Sequence, residues 1–364
     1  ACEDVIHGTH SMGSMVGDDV AGHEICMAPG AELIGCRNMY LGYGTPATYM
    51  ECFEFFLAPY PVGGTPGDGD PNLAPHVVNN SWSCPPYEGC DAASLEAAVA
   101  ALRQAGIVVA VSAGNYGGND ADDCSSVLYP PAIYTQSFTV GGFDHRDDSV
   151  YNRSSRGPVT YGGETYTKPD ISAPAVGVNS CMPGGSYSTK SGTSMAAPHV
   201  AGAVALLLSA QPAYAGYVGV IEEVLIRTAG PRTTTQGCGG DGPDEIPNNV
   251  WGWGMLDARA AVEAATVGWL QGSVMDASTD LPIQGASVTG AGAANRIAAG
   301  VITDPAGHYS MTLPTSTYDV TAQADGYFRQ IITGVAVISD TITIQDFALG
   351  PAVPFYLPLV LRGW

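Results

Sequence analysis

Three short stretches carry residue types that can do nucleophilic chemistry together. His-Gly-Thr-His at 7–10 places an imidazole, His7, at the opening of a predicted helix. The run VVAVSAGN at 108–115 is β-branched and ends on Asn115. SGTSMAAPHVAG at 191–202 puts Ser194 at the start of an apolar helix, among small residues that let a substrate backbone approach closely. A serine hydroxyl becomes a strong nucleophile only when a base takes its proton, and His7 is the candidate base. A helix N-terminus aims free N–H groups and partial positive charge at a developing oxyanion. The Asn115 carboxamide can add a second donor. Taken singly, each residue has a plainer account: a helix cap, a packed histidine, a turn asparagine. Taken together they describe acyl transfer.

The elements that must hold these residues are legible in outline. The segment HVVNN at 76–80 reads as the end of a buried strand. DAASLEAAVAALRQA at 91–105 reads as a helix with an aspartate near its N-cap and Gly106 just past its end. IVVAVSAGN follows at once, and strand, helix, strand at this spacing predicts a mostly parallel sheet with helices on both faces, an α/β fold. Thr45-Pro46 opens another predicted helix, with Met50, Phe53 and Leu57 on one side. Further helices are predicted at 194–209, 217–228 and 256–265. Near residue 267 the texture changes to short alternating segments such as LQGSVMD, HYSMTLP and TYDVTAQ. Turn residues separate them, which predicts a small all-β sandwich over 268–349. The last stretch, 350–364, is Pro-rich and apolar and reads as a docking strand or a sorting tail.

Composition bounds the function. At 364 residues, with 45% hydrophobic and 13% charged, the chain can bury two cores. The net charge of -22 and the absence of any basic stripe exclude nucleic acid as a partner. Lysine is scarce: only Lys168 and Lys190 occur. No uninterrupted apolar run reaches the ~18 residues of a membrane span. The nine cysteines are Cys2, Cys26, Cys36, Cys52, Cys84, Cys90, Cys124, Cys181 and Cys238. They lack zinc spacing and imply an oxidising compartment, hence a secreted or extracellular protein. Cys84 with Cys90, then Cys36 with Cys52, are the expected disulfides. The odd count leaves one thiol without a partner in this chain. No cofactor is required by these residues, but calcium is a candidate ligand. Asp68, Asp70 and Asn72 alternate in GDGDPN as at the start of a calcium loop, although no glutamate completes it. Asp120, Asp122 and Asp123 form a second acidic group that reads as a solvated loop.

HGTH, the SAGN strand end and GTSMAAPHVAG resemble the three signatures of subtilisin-like serine peptidases, the subtilases, over about residues 1–265. NNSW at 79–82 resembles the bacillopeptidase-F-like branch. The resemblance implies a polypeptide substrate, with Ser194 as nucleophile, His7 as general base and Asn115 completing an oxyanion hole with the Ser194 N–H. It makes His10 structural. It assigns Ser81, Trp82 and Ser83 to one wall of the pocket for the residue before the cut, and Ala113 and Gly114 to the other. Tyr116 lies near the mouth, and with Trp82 it implies an apolar or aromatic preference. Residues 268–349 resemble a carboxypeptidase regulatory-like domain, an accessory module without catalytic residues.

One departure stands out. Subtilases order their triad Asp, His, Ser, and only six residues precede His7. Glu3 and Asp4 are too close in sequence to reach the far imidazole nitrogen, and Asp4 matches a position beside the histidine. The expectation is that the triad acid, the first strand, and any signal and propeptide lie upstream. The chain as written is then nearly inactive, since losing that acid alone costs about 3 × 10⁴ in kcat. The alternatives are a separate chain that supplies the aspartate strand, and a non-catalytic subtilase-fold binding or adhesion protein.

Overall fold

The computed structural model describes residues 4–17, 25–120, 123–292 and 297–352. Cys2, Glu3, Asp122 and residues 353–364 of the apolar tail lie outside the described residues. The chain divides into two units, Ala1–Ala265 and Thr266–Trp364.

In chain order the first unit contains α1 (Asp4–Val16), α2 (Pro46–Leu57), β1 (Val77–Asn80), α3 (Glu96–Gln104), β2 (Val108–Ser112), β3 (Phe138–Asp144), β4 (Ser149–Val150), β5 (Val159–Tyr161) and β6 (Glu164–Tyr166). It continues with β7 (Ile171–Pro174), β8 (Val178–Met182), β9 (Ser186–Lys190), α4 (Thr193–Ala210), α5 (Val218–Thr228) and α6 (Ala258–Glu263). Strands β1, β2, β3 and β7 run parallel in that order, in register Val77↔Val108, Ala110↔Phe138 and Val140↔Ile171. All five residues of β2 are buried, because helices cover both faces of the sheet. The pleat sorts them: Val109 and Val111 join the α2 and α3 core with Tyr49, Phe53, Val99 and Leu102. Val108 and Ala110, one step out of phase, face the layer of α4, which packs along β1, β2, β3 and β7.

Local chemistry explains where the helices begin. Thr45 and Thr48 cap α2 reciprocally, Thr48 N–H to Thr45 Oγ1 at 3.3 Å and Thr45 N–H to Thr48 Oγ1 at 3.0 Å, with Pro46 at its first position. Its buried face is Tyr49, Cys52 and Phe53, while Met50 and Leu57 sit at the margin of the core. The predicted helix from Asp91 starts five residues late, at Glu96. The Asp91 carboxylate accepts from Ala93 N–H at 2.9 Å and Ser94 Oγ at 2.8 Å, so it closes a turn ahead of the helix. Disulfides join Cys36 to Cys52 and Cys84 to Cys90, as expected, and a third joins Cys124 to Cys238. Lys168 is 1% exposed, and its Nζ donates to Asp170 Oδ2 at 2.6 Å and to the Ser137 carbonyl at 2.7 Å. Among the described helices, only α4 is long and apolar enough to cross a membrane, and most of it is buried in this core.

The second unit holds β10 (Val267–Asp276), β11 (Ser287–Ala291), β12 (Ile297–Ile302), β13 (His308–Pro314), β14 (Ser316–Gln323), β15 (Gln330–Val337), β16 (Ile342–Ile344) and β17 (Phe347–Leu349). They form two four-stranded sheets, one around β10 and one ordered β12-β11-β14-β15. Burial alternates along β13 and β14, so Tyr309, Met311, Leu313, Tyr318 and Val320 fill the interior with Val288 and Phe347. Of the tail, Gly350 and Ala352 hydrogen-bond to the Gly326–Phe328 turn: Phe328 N–H to Gly350 O at 2.9 Å, Ala352 N–H to Gly326 O at 2.7 Å.

Candidate active site

The site is built around the first turn of α4. Gly192 precedes it with φ 152°, ψ 160°, a conformation that favours glycine. The Asn115 carboxamide lies over Gly192, about where a side chain there would touch it. Asn115 sits in the bend just after β2, and its Oδ1 accepts from the Thr193 N–H at 2.9 Å. Thr193 Oγ1 is 3.2 Å from the same oxygen and 3.1 Å from Gly114 O, and accepts from Gly114 N–H at 3.2 Å. With Oδ1 held, the Nδ2 donors are left to the site. The Ser194 N–H makes no hydrogen bond among the described residues, as expected of a free donor in a first helical turn.

A proline shapes the surroundings of Ser194. Pro198 lies inside α4 and has no N–H, so the carbonyl four residues earlier, that of Ser194, lacks a helical partner. Ser81 Oγ donates to that carbonyl at 2.8 Å, and accepts from Asn79 Nδ2 at 3.0 Å. Ser194 Oγ in turn donates to the Ser81 carbonyl at 3.3 Å. Ser81, one residue past β1, and Ser194 are thus joined by two hydrogen bonds.

His7 lies on α1, which packs against α4 and β8. The anchor is His10, one turn on and fully buried, whose Nε2 lies 3.1 Å from Val178 O and 3.0 Å from Ser188 O. Gly13 permits the close approach, since a side chain there would strike Ser180 Oγ and Cys181. The His7 ring keeps an open face to solvent and makes no hydrogen bond to Ser194 or to any other described residue. The protein crowded around it removes enough water to lower its pKa, and Lys190 and then His10 lower it further by charge repulsion. Among the described residues no carboxylate is one of the groups that shift it.

The predicted pocket walls differ in what their side chains do. Ala113 is buried and its N–H bonds Val140 O at 2.9 Å. Trp82 is turned toward α2, its ring stacked on Tyr49 at 4.0 Å and 7° and beside Phe53 at 5.7 Å. Ser83 is half-buried beside it. Tyr116 is 49% exposed and meets Tyr129 edge-on at 5.6 Å. The acidic loops are occupied locally: Asp68 Oδ2 accepts from Thr65 N–H at 2.9 Å, and Asp70 Oδ1 accepts from Asn72 N–H at 2.9 Å. The Asp120 N–H donates to Asp123 Oδ2 at 3.0 Å. Among the described residues no group of three or more His, Cys, Asp or Glu is placed to hold a metal ion. Two contributors escaped the sequence reading. Thr193 was visible only as the residue before the serine, and Pro198 only as a helix anomaly.

Residues 3–254 match the subtilase family, and residues 270–350 match the carboxypeptidase regulatory-like domain. Bacillopeptidase F of Bacillus subtilis (strain 168) is 38% identical over 268 residues, covering 73% of this chain and 17% of that protein. Serine protease AprX of the same organism is 33% identical over 231 residues, 57% of this chain and 49% of that protein. The chain therefore spans less than half the length of either. Subtilisin BL of Lederbergia lenta is 31% identical over 256 residues, 70% of this chain and 77% of that protein. The solved structure of the prenylagaramide maturation protease PagA shares the fold, with a TM-score of 0.53 and 21% identity over 72% of this chain and 84% of that one.

Proposed function

The chain belongs to the subtilase family, and from that footing we propose that it is a secreted serine endopeptidase. The observation that carries the reading is the pairing of Asn115 with Thr193. It leaves the carboxamide donors and the Ser194 N–H together at the first turn of α4. Ser194 Oγ attacks the substrate carbonyl while His7 takes its proton. The C=O π bond becomes an oxyanion held by Ser194 N–H and Asn115 Nδ2. His7 then returns the proton to the departing amine as the C–N bond breaks, and water releases the acyl group by the same steps reversed. Pocket walls at Ser81–Ser83 and Ala113–Gly114 would hold the residue before the cut. The three disulfides support an extracellular site of action.

The orienting acid belongs to this proposal too. No carboxylate among the described residues acts on His7, so we assign that role outside them. Loss of that acid would slow the reaction on the order of 10⁴-fold. The unbonded His7 ring is what favours the second reading, a non-catalytic binding protein on the same fold. A fluorophosphonate separates the two, because it labels only an activated serine. Slow labelling of the chain that disappears in Ser194→Ala supports the peptidase. No labelling after prolonged exposure at high reagent concentration supports the binding protein. Products cut within a peptide rather than at its ends identify an endopeptidase.

A further inference from the structure

We infer that Lys190 is a specificity-determining residue that selects substrates with a carboxylate side chain on the leaving-group side of the scissile bond. The inference rests on the peptidase reading above. Of the two lysines in the chain, Lys168 is buried and paired with Asp170. Lys190 is half-buried and forms no ion pair among the described residues. An ammonium with no ion pair among the described residues, at a site that a peptide must cross, calls for a partner from the peptide.

Its placement says which part of the peptide. Lys190 ends β9, four residues before Ser194, and pairs in register with Val178. The carbonyls of Val178 and of Ser188, two residues back on β9, are the ones that hold His10. His7 stands one turn earlier on the same helix, so Lys190, His10 and His7 gather on the α1 flank of the α4 N-terminus. The Lys190 charge disfavours protonation of both imidazoles. The opposite flank is built from Ser81 to Ser83 and from Gly114 to Tyr116. Besides burial, the groups acting on Tyr116 there are Tyr87, Tyr129, the Ser83 side chain and Glu88, with no cation among them. In acyl transfer the imidazole that takes the serine proton delivers it to the departing amine. The imidazole flank therefore faces the leaving group, and the positive charge lies there.

Among the described residues no carboxylate forms an ion pair with Lys190. The net charge of the whole chain is -22. Charges farther than about 10 Å are largely screened at 0.1 M salt. At contact range Lys190 dominates. A partly solvated ion pair of this kind shifts selectivity about two- to fivefold.

The test digests a proteome-derived peptide library with the full chain over long incubation and reads both sides of every cut by mass spectrometry, with Ser194→Ala as blank. The expected profile is a two- to fivefold enrichment of Asp and Glu over Asn and Gln just after the cut. That enrichment is lost in Lys190→Gln, retained in Lys190→Arg, reversed in Lys190→Glu and weakened by salt. Ser194-dependent cuts with the same flat profile in all variants overturn the inference and leave the peptidase reading intact. No Ser194-dependent cut overturns both. A second readout needs no turnover: NMR titration of His7 in the full chain. Its pKa rises in Lys190→Gln if Lys190 commands this flank, and an unmoved pKa overturns the inference.

Discussion

Ser81 Oγ donates a 2.8 Å hydrogen bond to the carbonyl of Ser194, the carbonyl that Pro198 leaves without a helical donor. The bond crosses 113 residues of sequence and ties the end of β1 to the backbone of Ser194. Ser81 is only 8% exposed, so water is a poor substitute. Ser81→Ala is expected to lose about 1–3 kcal/mol for the orphaned carbonyl. Pro198→Ala restores a backbone N–H at the right distance along the helix. In that background Ser81→Ala is expected to cost less, and urea midpoints of the four-member cycle measure the difference. Equal costs in both backgrounds would count against the proline argument.

Asn115 is expected to matter to the reaction more than to folding. Asn115→Ala removes the proposed oxyanion donor and is expected to slow fluorophosphonate labelling or peptide turnover about 10²–10³-fold. Thr193→Val keeps the Thr193 N–H bond to Oδ1 but removes the hydroxyl, so a smaller loss is expected. A Thr193→Val loss as large as that of Asn115→Ala would contradict the division of roles.

The lowered pKa of His7 has a definite sign. Crowding and the Lys190 charge favour the neutral ring, which is the form able to accept a proton. The acid limb of the labelling rate is therefore expected below pH ~6.5, the ordinary histidine value. Lys190→Gln moves it upward toward that value, and so does added salt. Buried His10 is also held toward the neutral form, chiefly by desolvation. Its contribution to stability is present above pH ~6.5 and fades as pH falls through the folded pKa. Urea midpoints compared between wild type and His10→Gln across pH 5–8 are expected to differ more at the upper end.

The disulfides are expected to rank by loop length. Cys124–Cys238 spans 114 residues and Cys84–Cys90 spans 6. Chain-entropy arguments give a loop of about 100 residues roughly 4–5 kcal/mol and short loops less. Replacing Cys124 and Cys238 together by alanine should lower the thermal midpoint more than replacing Cys84 and Cys90. Differential scanning calorimetry of the two double variants decides, and the reverse order would mean that local packing outweighs loop entropy here.

Much of this molecule was legible from neighbours along the chain. The Thr45-Pro46 cap, the all-buried β2 run and the small residues around Ser194 express local propensity and periodicity, which residues a few positions apart impose on each other. The same locality let Cys84 and Cys90 be paired across six residues. It misjudged the start of α3, where Asp91 had two local uses and the turn won. What tertiary structure alone decided lies at long range. Asn115 meets Thr193 across 78 residues, Ser81 meets Ser194 across 113, and Cys124 meets Cys238 across 114. Trp82 likewise turned to stack on Tyr49 of α2. These contacts depend on how α2 and α4 pack on β1 and β2. Hydrophobic burial drives that packing without specifying partners, so composition foretells the core while only the assembled layers determine which polar groups converge at Ser194.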